Sequence, residues 1–261
     1  MDAITPRQNE ILALARSSGR VGVDDLALRF NVTPQTIRKD LNDLCERRLL
    51  QRVHGGAIAG SGIENLGYEA RRQIAREEKQ SIGGRAAALV PDGSSLFINI
   101  GTTTEEVARA LRGRSDLVVI TNNINVANLL RSEPHIEVIV AGGVVRRSDG
   151  GIVGEATIDF FKQFKVDYAI IGASAIDEDG ALLDYDYREV RVSQAIIENA
   201  RHVILVADHG KLERTAPVRI AHVSQIHTFV TDALPSGRLA RVCREAGVKV
   251  EEVLPGAIEE A

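Results

Sequence analysis

Apolar and polar positions along the chain follow two periods. In the first fifty residues the period is helical: Ile11, Leu12, Leu14 and Ala15 gather on one face. Ser17-Ser18-Gly19 ends that helix, with glycine in the usual post-helix place. "VDDLALRF" predicts a short second helix with Leu26 and Phe30 on one side, and Asn31-Val32 a turn. Thr33 suits the cap of a third helix, and Pro34 its first position, where a missing N–H costs nothing. Ile37, Leu41 and Leu44 at i, i+4 and i+7 form the buried stripe of that helix. "LLQRVHGGA" then alternates apolar and polar like a strand and turns at Gly55-Gly56. Three short helices followed by a strand and a turn make the layout of a winged helix-turn-helix.

Beyond residue 57 the pattern changes. "AIAGSGIENLGY", Ala57 to Tyr68, is small and Gly-rich and reads as a linker. "EARRQIAREEKQSIGGRAAALV" predicts a helix interrupted at Gly83-Gly84, its charged start a solvated face. Short apolar runs then alternate with helical stretches: "SSLFINI", "LVVIT", "IEVIVAGG", "VDYAIIGAS", "RHVILVADHG" and "HTFVTDAL" are the strands. Such alternation predicts a parallel sheet flanked by helices. The fold expected is therefore α/β: a winged helix-turn-helix over residues 1–58, a linker over 59–75 and a Rossmann-like effector domain over 76–261.

Ligands of such sheets bind at the carboxyl ends of the strands. Small polar residues collect there: Gly101-Thr102-Thr103-Thr104 after one strand, Thr121-Asn122-Asn123 after the next, and Gly142-Gly143 after the third, with Arg146 and Arg147 beyond. Asp208-His209-Gly210-Lys211 follows a later strand, and Asp184 and Asp186 stand near the same end. A "GTT" turn opening a helix offers free N–H groups, hydroxyls and a positive dipole end to an anion. Lys211 could reach a phosphate as a point charge. Each loop alone reads equally as a capped helix start, an Asn turn, a generic glycine turn or a surface lysine. Four together predict a pocket for a small phosphorylated, hydroxylated molecule.

Charge changes the reading of the first domain. The chain of 261 residues has a formal net charge of -4. Residues 1–60 nevertheless hold nine Lys/Arg against seven Asp/Glu, and the remainder 23 against 29. Outside the buried stripe of the third helix lie Gln35, Thr36, Arg38, Lys39 and Asn42, groups suited to base edges and phosphates. With Thr33 at the helix start and Arg52, His54, Gly55 and Gly56 in the wing, they form the expected DNA-binding surface. Hydrophobic residues at 44% imply a folded chain. The N-terminus has no secretory pattern and no apolar run approaches a membrane span, so a cytoplasmic protein is expected. Cys45 and Cys243 have no metal-like spacing and read as reduced thiols.

"TPQTIRKDLNDL…QRVHGGA" resembles the DNA-binding head of DeoR-family bacterial transcription regulators. The likeness continues through "LFINIGTTTEEVA", "VITNNINVANLL", "GGVVRRSDGGIVGEATIDF", "LLDYDYREVR" and "AIIENARHVILVADHGK". The resemblance implies a repressor of glycerol and glycerol-3-phosphate uptake and catabolism genes, released from double-stranded operator DNA by sn-glycerol 3-phosphate, with no cofactor. It implies a sensor domain related to ribose-5-phosphate isomerase. It assigns phosphate contacts to Gly101, Thr102, Thr103 and Lys211, and polyol contacts to Thr121, Asn122, Gly142 and Gly143. Three positions depart from the family pattern: Asn99 stands where Asp is usual, "DHGKLER" replaces "DHSKFGR", and Lys39 replaces Arg. At Lys39 a phosphate contact survives that change, whereas a bidentate base contact weakens.

An isomerase is the rival class, and it needs a placed base. Ribose-5-phosphate isomerases carry a "DGADE"-type motif where this chain reads "IGASA", Ile171 to Ala175. Asp177, Glu178 and Asp179 fall further on, in an expected surface turn. A regulator is therefore expected, with no catalytic and no metal-ligating residues. A DNA architectural protein without ligand would not need the loop constellation. One head contacts few bases, so a homodimer or homotetramer on repeated half-sites is expected.

Overall fold

The computed structural model describes residues 4–18, 20–47, 49–53, 55–59 and 68–253. The chain divides into two compact units, Met1–Arg71 and Arg72–Ala261.

The first unit contains α1 (Pro6–Ser18), β1 (Arg20–Gly22), α2 (Val23–Phe30), α3 (Pro34–Glu46), β2 (Leu50–Val53) and β3 (Gly56–Ala59). Ile11, Leu12, Ala15, Leu26, Ile37, Leu41 and Leu44 are buried together with Val21 and Ala57. The turn between α2 and α3 places Asn31 at φ 50, a left-handed conformation that Asn tolerates. Thr33 caps α3: its Oγ1 accepts from Thr36 N at 3.2 Å. The wing is a three-stranded sheet and not a lone strand and turn, because β1 pairs antiparallel with β3. Gly56 belongs to β3 and not to the turn, and a β-carbon there would overlap the Val21 carbonyl oxygen. Gly55, at φ 76, makes the turn. His54, expected in the wing, and Gly19 lie outside the described residues.

The span expected as linker contains α4 (Tyr68–Gln73), and Ala57 to Ala59 are strand. α5 (Arg76–Ala88) runs unbroken through Gly83-Gly84. The helix breaks instead at Ala75, which takes φ 51. Gly83 is a packing glycine: a β-carbon there would lie 2.7 Å from the Glu106 carbonyl carbon in the neighbouring helix.

The second unit continues with β4 (Ser95–Ile98), α6 (Thr102–Ala110), β5 (Leu117–Thr121), α7 (Ile124–Leu130), β6 (Ile136–Val140), β7 (Val144–Val145), β8 (Ile152–Val153) and α8 (Glu155–Phe161). Then come β9 (Val166–Ile171), β10 (Ala175–Ile176), β11 (Ala181–Asp184), α9 (Tyr187–Glu198), β12 (Ala200–Val206), β13 (Val218–His222), β14 (Thr228–Thr231), α10 (Arg238–Glu245) and β15 (Lys249–Glu252). Seven strands form one parallel sheet in the order β15-β14-β12-β9-β4-β5-β6. Strand order reverses between β4 and β9, so the loops leaving these two strands diverge and open a crevice at their carboxyl ends. Phe97, Phe161 and Phe229 anchor the core on one face, and Ile82, Leu96, Val107 and Leu111 on the other. No helix among the described residues is long and apolar enough to cross a membrane.

Candidate functional site

On α3 the buried stripe leaves Gln35, Arg38 and Lys39 exposed, with Thr36 half-buried beside the cap. Asp40, next to that cationic pair, is buried. Its carboxylate accepts from Arg7 Nε at 2.6 Å, and Gln8 Nε2 donates to its other oxygen at 3.4 Å. α1 therefore holds the helix by a charged contact that helical periodicity alone did not indicate. Arg52 lies in β2 opposite Ala57, and Gly55 is exposed at the wing tip.

In the second unit, Gly101 (φ 157) leads β4 into α6, whose first intrahelical bond runs from Glu105 N to Gly101 O at 3.0 Å. The N–H groups of Thr102, Thr103 and Thr104 precede it and point from the positive helix end. Thr102 and Thr103 are buried. Thr104 serves the loop itself, its hydroxyl donating toward the Asn99 and Gly101 carbonyls at 2.8 Å each. Thr121 likewise bonds the Ile98 carbonyl at 2.7 Å, and Asn123 caps α7 through Asn125 N at 2.9 Å. Gly143 takes φ 150 with Thr157 where its β-carbon would be, so the fold demands glycine there. Gly142 is exposed, and its carbonyl accepts from Thr157 Oγ1 at 2.9 Å.

Lys211 is buried on a short turn (His209–Lys211) after β12, pinned where His209 N donates to Asp232 at 2.7 Å. Burial pushes the Asp208 carboxyl up, but the Lys211 and Lys79 ammoniums outweigh it and hold the group below its usual range. Lys79, expected on a solvated face, is 3% exposed, and its Nζ donates to the Ile74 carbonyl at 2.6 Å. Asp208 thus lies within reach of two buried cations, and Glu105 in the first turn of α6 is buried as well.

A second charged cluster is rich in acids. Arg146 Nη2 donates to Asp149 at 2.6 Å and to Glu189 at 2.5 Å, and Nη1 donates to Asp186 at 3.1 Å. Asp184 is buried alongside, accepting from Ser174 Oγ at 2.8 Å and Tyr185 N at 2.6 Å. Burial, then repulsion from Asp184, pushes Glu189 up to about 8 against the pull of Arg146. Asp186 is brought down to about 2: burial opposes this, and hydrogen bonds from Arg188 and Arg146 prevail. This network meets the Asn99–Thr104 loop twice. Asn99 Nδ2 donates to Ser193 Oγ at 2.8 Å, and that hydroxyl donates to the Glu189 carbonyl. Gly151, beside Asp149, packs on Ile100 so closely that a β-carbon would overlap it.

Asn122 and Asp208 carry the open valences. Both are buried, and Asn122 Oδ1 and Asp208 Oδ2 have no hydrogen-bond partner among the described residues. A buried acceptor left unpaired costs about 1–3 kcal/mol, so a donor from outside the described residues would be welcome at each. Lys79, Asp149 and Glu189 were missing from the expected site, while Arg146 and Asp208 stood in strand-end loops that the sequence picked out without assigning them a role. No cluster of His, Cys, Asp and Glu among the described residues could hold a metal.

Residues 7–61 match the DeoR-like helix-turn-helix domain, and residues 74–233 match the DeoR C terminal sensor domain. The glycerol-3-phosphate regulon repressor of Escherichia coli is 46% identical over 95% of this chain and 98% of its own. That of Haemophilus influenzae is 48% identical over 88% and 90% respectively. Among solved structures, ribose 5-phosphate isomerase from Methanocaldococcus jannaschii shares 18% identity over 53% of this chain and 55% of its own, with a TM-score of 0.40, an agreement too loose to argue from. With both domains matched in order and close relatives that are transcriptional repressors and not enzymes, the chain belongs to the DeoR family of transcription regulators.

Proposed function

We propose that this regulator represses genes of glycerol and glycerol-3-phosphate metabolism and leaves its operator when sn-glycerol 3-phosphate binds the second unit. The observation that carries the reading is the pairing of two features in one chain: a capped helix with exposed Gln35, Arg38 and Lys39, and a buried anion-seeking strand end. The similarity to glycerol-3-phosphate regulon repressors supports the choice of ligand.

In this reading α3 enters the major groove, with Arg38 and Lys39 on bases and phosphates and the wing, with Arg52, His54, Gly55 and Gly56, against the backbone. The phosphate takes the α6 N-terminus at Gly101, Thr102 and Thr103, with Lys211 as counter-charge. The polyol hydroxyls take Asn122, with Thr121, Asn123, Gly142, Gly143 and Asp184 shaping the walls. A homodimer or homotetramer places two heads on repeated half-sites. Release requires the ligand to favour the arrangement that does not bind DNA. A factor of about 10² in operator affinity corresponds to roughly 2.7 kcal/mol of coupling.

The test is a thermal-shift titration with sn-glycerol 3-phosphate, glycerol and inorganic phosphate in parallel. A ligand at a hundred times its dissociation constant adds roughly 2.7 kcal/mol to stability. A rise with glycerol 3-phosphate alone, together with its release of duplexes selected by the protein, is the expected result. No rise with any of the three removes this inducer and turns the search to other sugar phosphates.

A further inference from the structure

We infer that Lys79 carries the effector signal out of the second unit: it clamps the joint between α4 and α5, and gives it up when an anion binds beside Asp208 and Lys211. The inference rests on that sheet end being the effector site, and it concerns how occupation of the site is felt elsewhere.

The chain crosses from the first unit to the second within α4, at Arg71 and Arg72. Two residues, Ile74 and Ala75, separate α4 from α5. Ala75 stands at φ 51 and ψ 45, a left-handed conformation disfavoured for any residue with a β-carbon. Residues 73–76 read Gln-Ile-Ala-Arg, with neither glycine nor proline, so local chemistry does not favour a break. In one continuous helix the Ile74 carbonyl would accept from the Glu78 N–H. Here it accepts from the Lys79 ammonium at 2.6 Å. A charged hydrogen bond is thus what the broken joint gains over the continuous one.

The other end of the clamp is electrostatic. α5 packs on β12 and β14, with Lys79 buried in its first turn. Asp208, just beyond β12, is buried, and its Oδ2 lacks a hydrogen-bond partner among the described residues. Burial pushes its carboxyl up, while Lys211, then Lys79, Arg214 and His209 bring it down. Both buried lysines therefore act on one carboxylate. Glu105, the buried acid of α6, accepts from Asn123 and Asn125 Nδ2 at 3.2 and 3.0 Å, toward α7. A phosphate at Lys211 brings negative charge to an enclosed place where water screens it little. It draws the Lys79 ammonium from a neutral carbonyl, because an ion pair in such surroundings outweighs a hydrogen bond to a dipole. Ala75 then loses what holds it left-handed, and α4 and α5 join.

Two substitutions in the full chain test this. Anisotropy of a duplex selected by the protein is read with and without sn-glycerol 3-phosphate, whose own binding is followed by calorimetry. Lys79→Met removes the clamp: duplex affinity should fall about 10²-fold, to the effector-bound level, and the effector should then change it by no more than ~3-fold. Ala75→Gly eases the broken joint and should act oppositely, with duplex affinity retained and release by the effector blunted ~5-fold. Hydrogen exchange reads the joint itself. The amides of residues 76–78 begin α5 without helical partners and gain them when the helices join. Their exchange should slow when the effector is added to the wild-type chain, and should be slow already in Lys79→Met. Should that variant fail to fold, the wild-type exchange and Ala75→Gly decide alone. Wild-type duplex binding and release in a folded Lys79→Met, both substitutions shifting binding the same way, or exchange at residues 76–78 indifferent to a bound effector overturns the inference and leaves the site reading standing. No binding of sn-glycerol 3-phosphate by the wild-type chain overturns the site reading, and this inference with it.

Discussion

The two units handle charge in opposite ways. In the first, Arg38 and Lys39 stand exposed on α3, and the apolar stripe beneath them is independent of their chemistry. In the second, Lys79, Lys211, Arg146, Asp149, Asp184, Glu189 and Asp208 are enclosed, and each is tolerable only because of another. A DNA surface can carry unpaired cations in water at little cost, since they are hydrated until phosphates replace the water. A small-ligand site withdraws its charges from water and must compensate each one. The difference predicts that substitutions in the first unit alter binding while sparing stability, and that those in the second cannot separate the two.

The strongest challenge to this contrast is Arg146→Ala. It leaves Asp149, Asp186 and Glu189 without their shared cation, and the expected loss is about 3–5 kcal/mol, typical of breaking a buried ion pair. Urea unfolding followed in the second unit measures it; a change below 1 kcal/mol would mean the network is solvated and the contrast unfounded.

Two adjacent glycines sharpen the packing side of the comparison. Gly83→Ala should destabilise by about 1–3 kcal/mol through overpacking against Glu106. Gly84→Ala, with nothing within 4 Å of its β-carbon, should stabilise by roughly 0.5–1 kcal/mol. Like-signed effects in thermal melts would contradict the close approach of α5 to α6.

For the exposed side, Arg38→Ala should weaken DNA binding by about 1–3 kcal/mol with the melting temperature unchanged. Fluorescence anisotropy on a selected duplex reads the first quantity and calorimetry the second. Equal loss of DNA and ligand binding would indicate misfolding and not a lost contact.

A modest, pH-dependent effect concerns Glu189. Its folded-state value of about 8 lies above the ordinary carboxylate range. The native state thus retains a proton that the unfolded chain gives up. The resulting stabilisation is complete below the ordinary carboxylate range and drains away as pH rises through about 8. Between pH 7 and 8.5 the loss should be about 1 kcal/mol. Glu189→Gln should flatten that slope; an identical pH dependence in the variant would place the titration elsewhere.

The first unit was largely legible because each of its signals is local. A cap, a proline at the first helical position and an i, i+4, i+7 stripe set α3 without reference to distant residues. The strand-ends of the second unit were legible for the same reason, since apolar runs bounded by Gly, Thr and Asn mark strand and turn wherever the sheet closes. Misread positions depend on partners far along the chain. Gly83-Gly84 looked like a break, but only Gly83 is dictated by a neighbouring helix, and Ala75 makes the break. Lys79 looked solvated because its partners, the Ile74 carbonyl and Asp208, fix its burial through the fold. Gly56 looked like turn and proved to be strand, because β1 lies against it.

The sequence by itself determined the winged-helix layout, the parallel sheet and the loops at its strand ends, which follow from periodicity and turn chemistry, and its motifs carried the family resemblance. Tertiary structure alone decided which polar residues of those loops are spent on the fold, as Thr104, Thr121 and Asn123 are, and which retain an open valence, as Asn122 and Asp208 do. It also decided that Lys79 and Lys211 lie beside Asp208 and that Arg146 gathers Asp149, Asp186 and Glu189. Burial and pairing are properties of residues brought together from distant parts of the chain, and no local pattern encodes the contact of Lys79 with Asp208 or of Asn99 with Ser193.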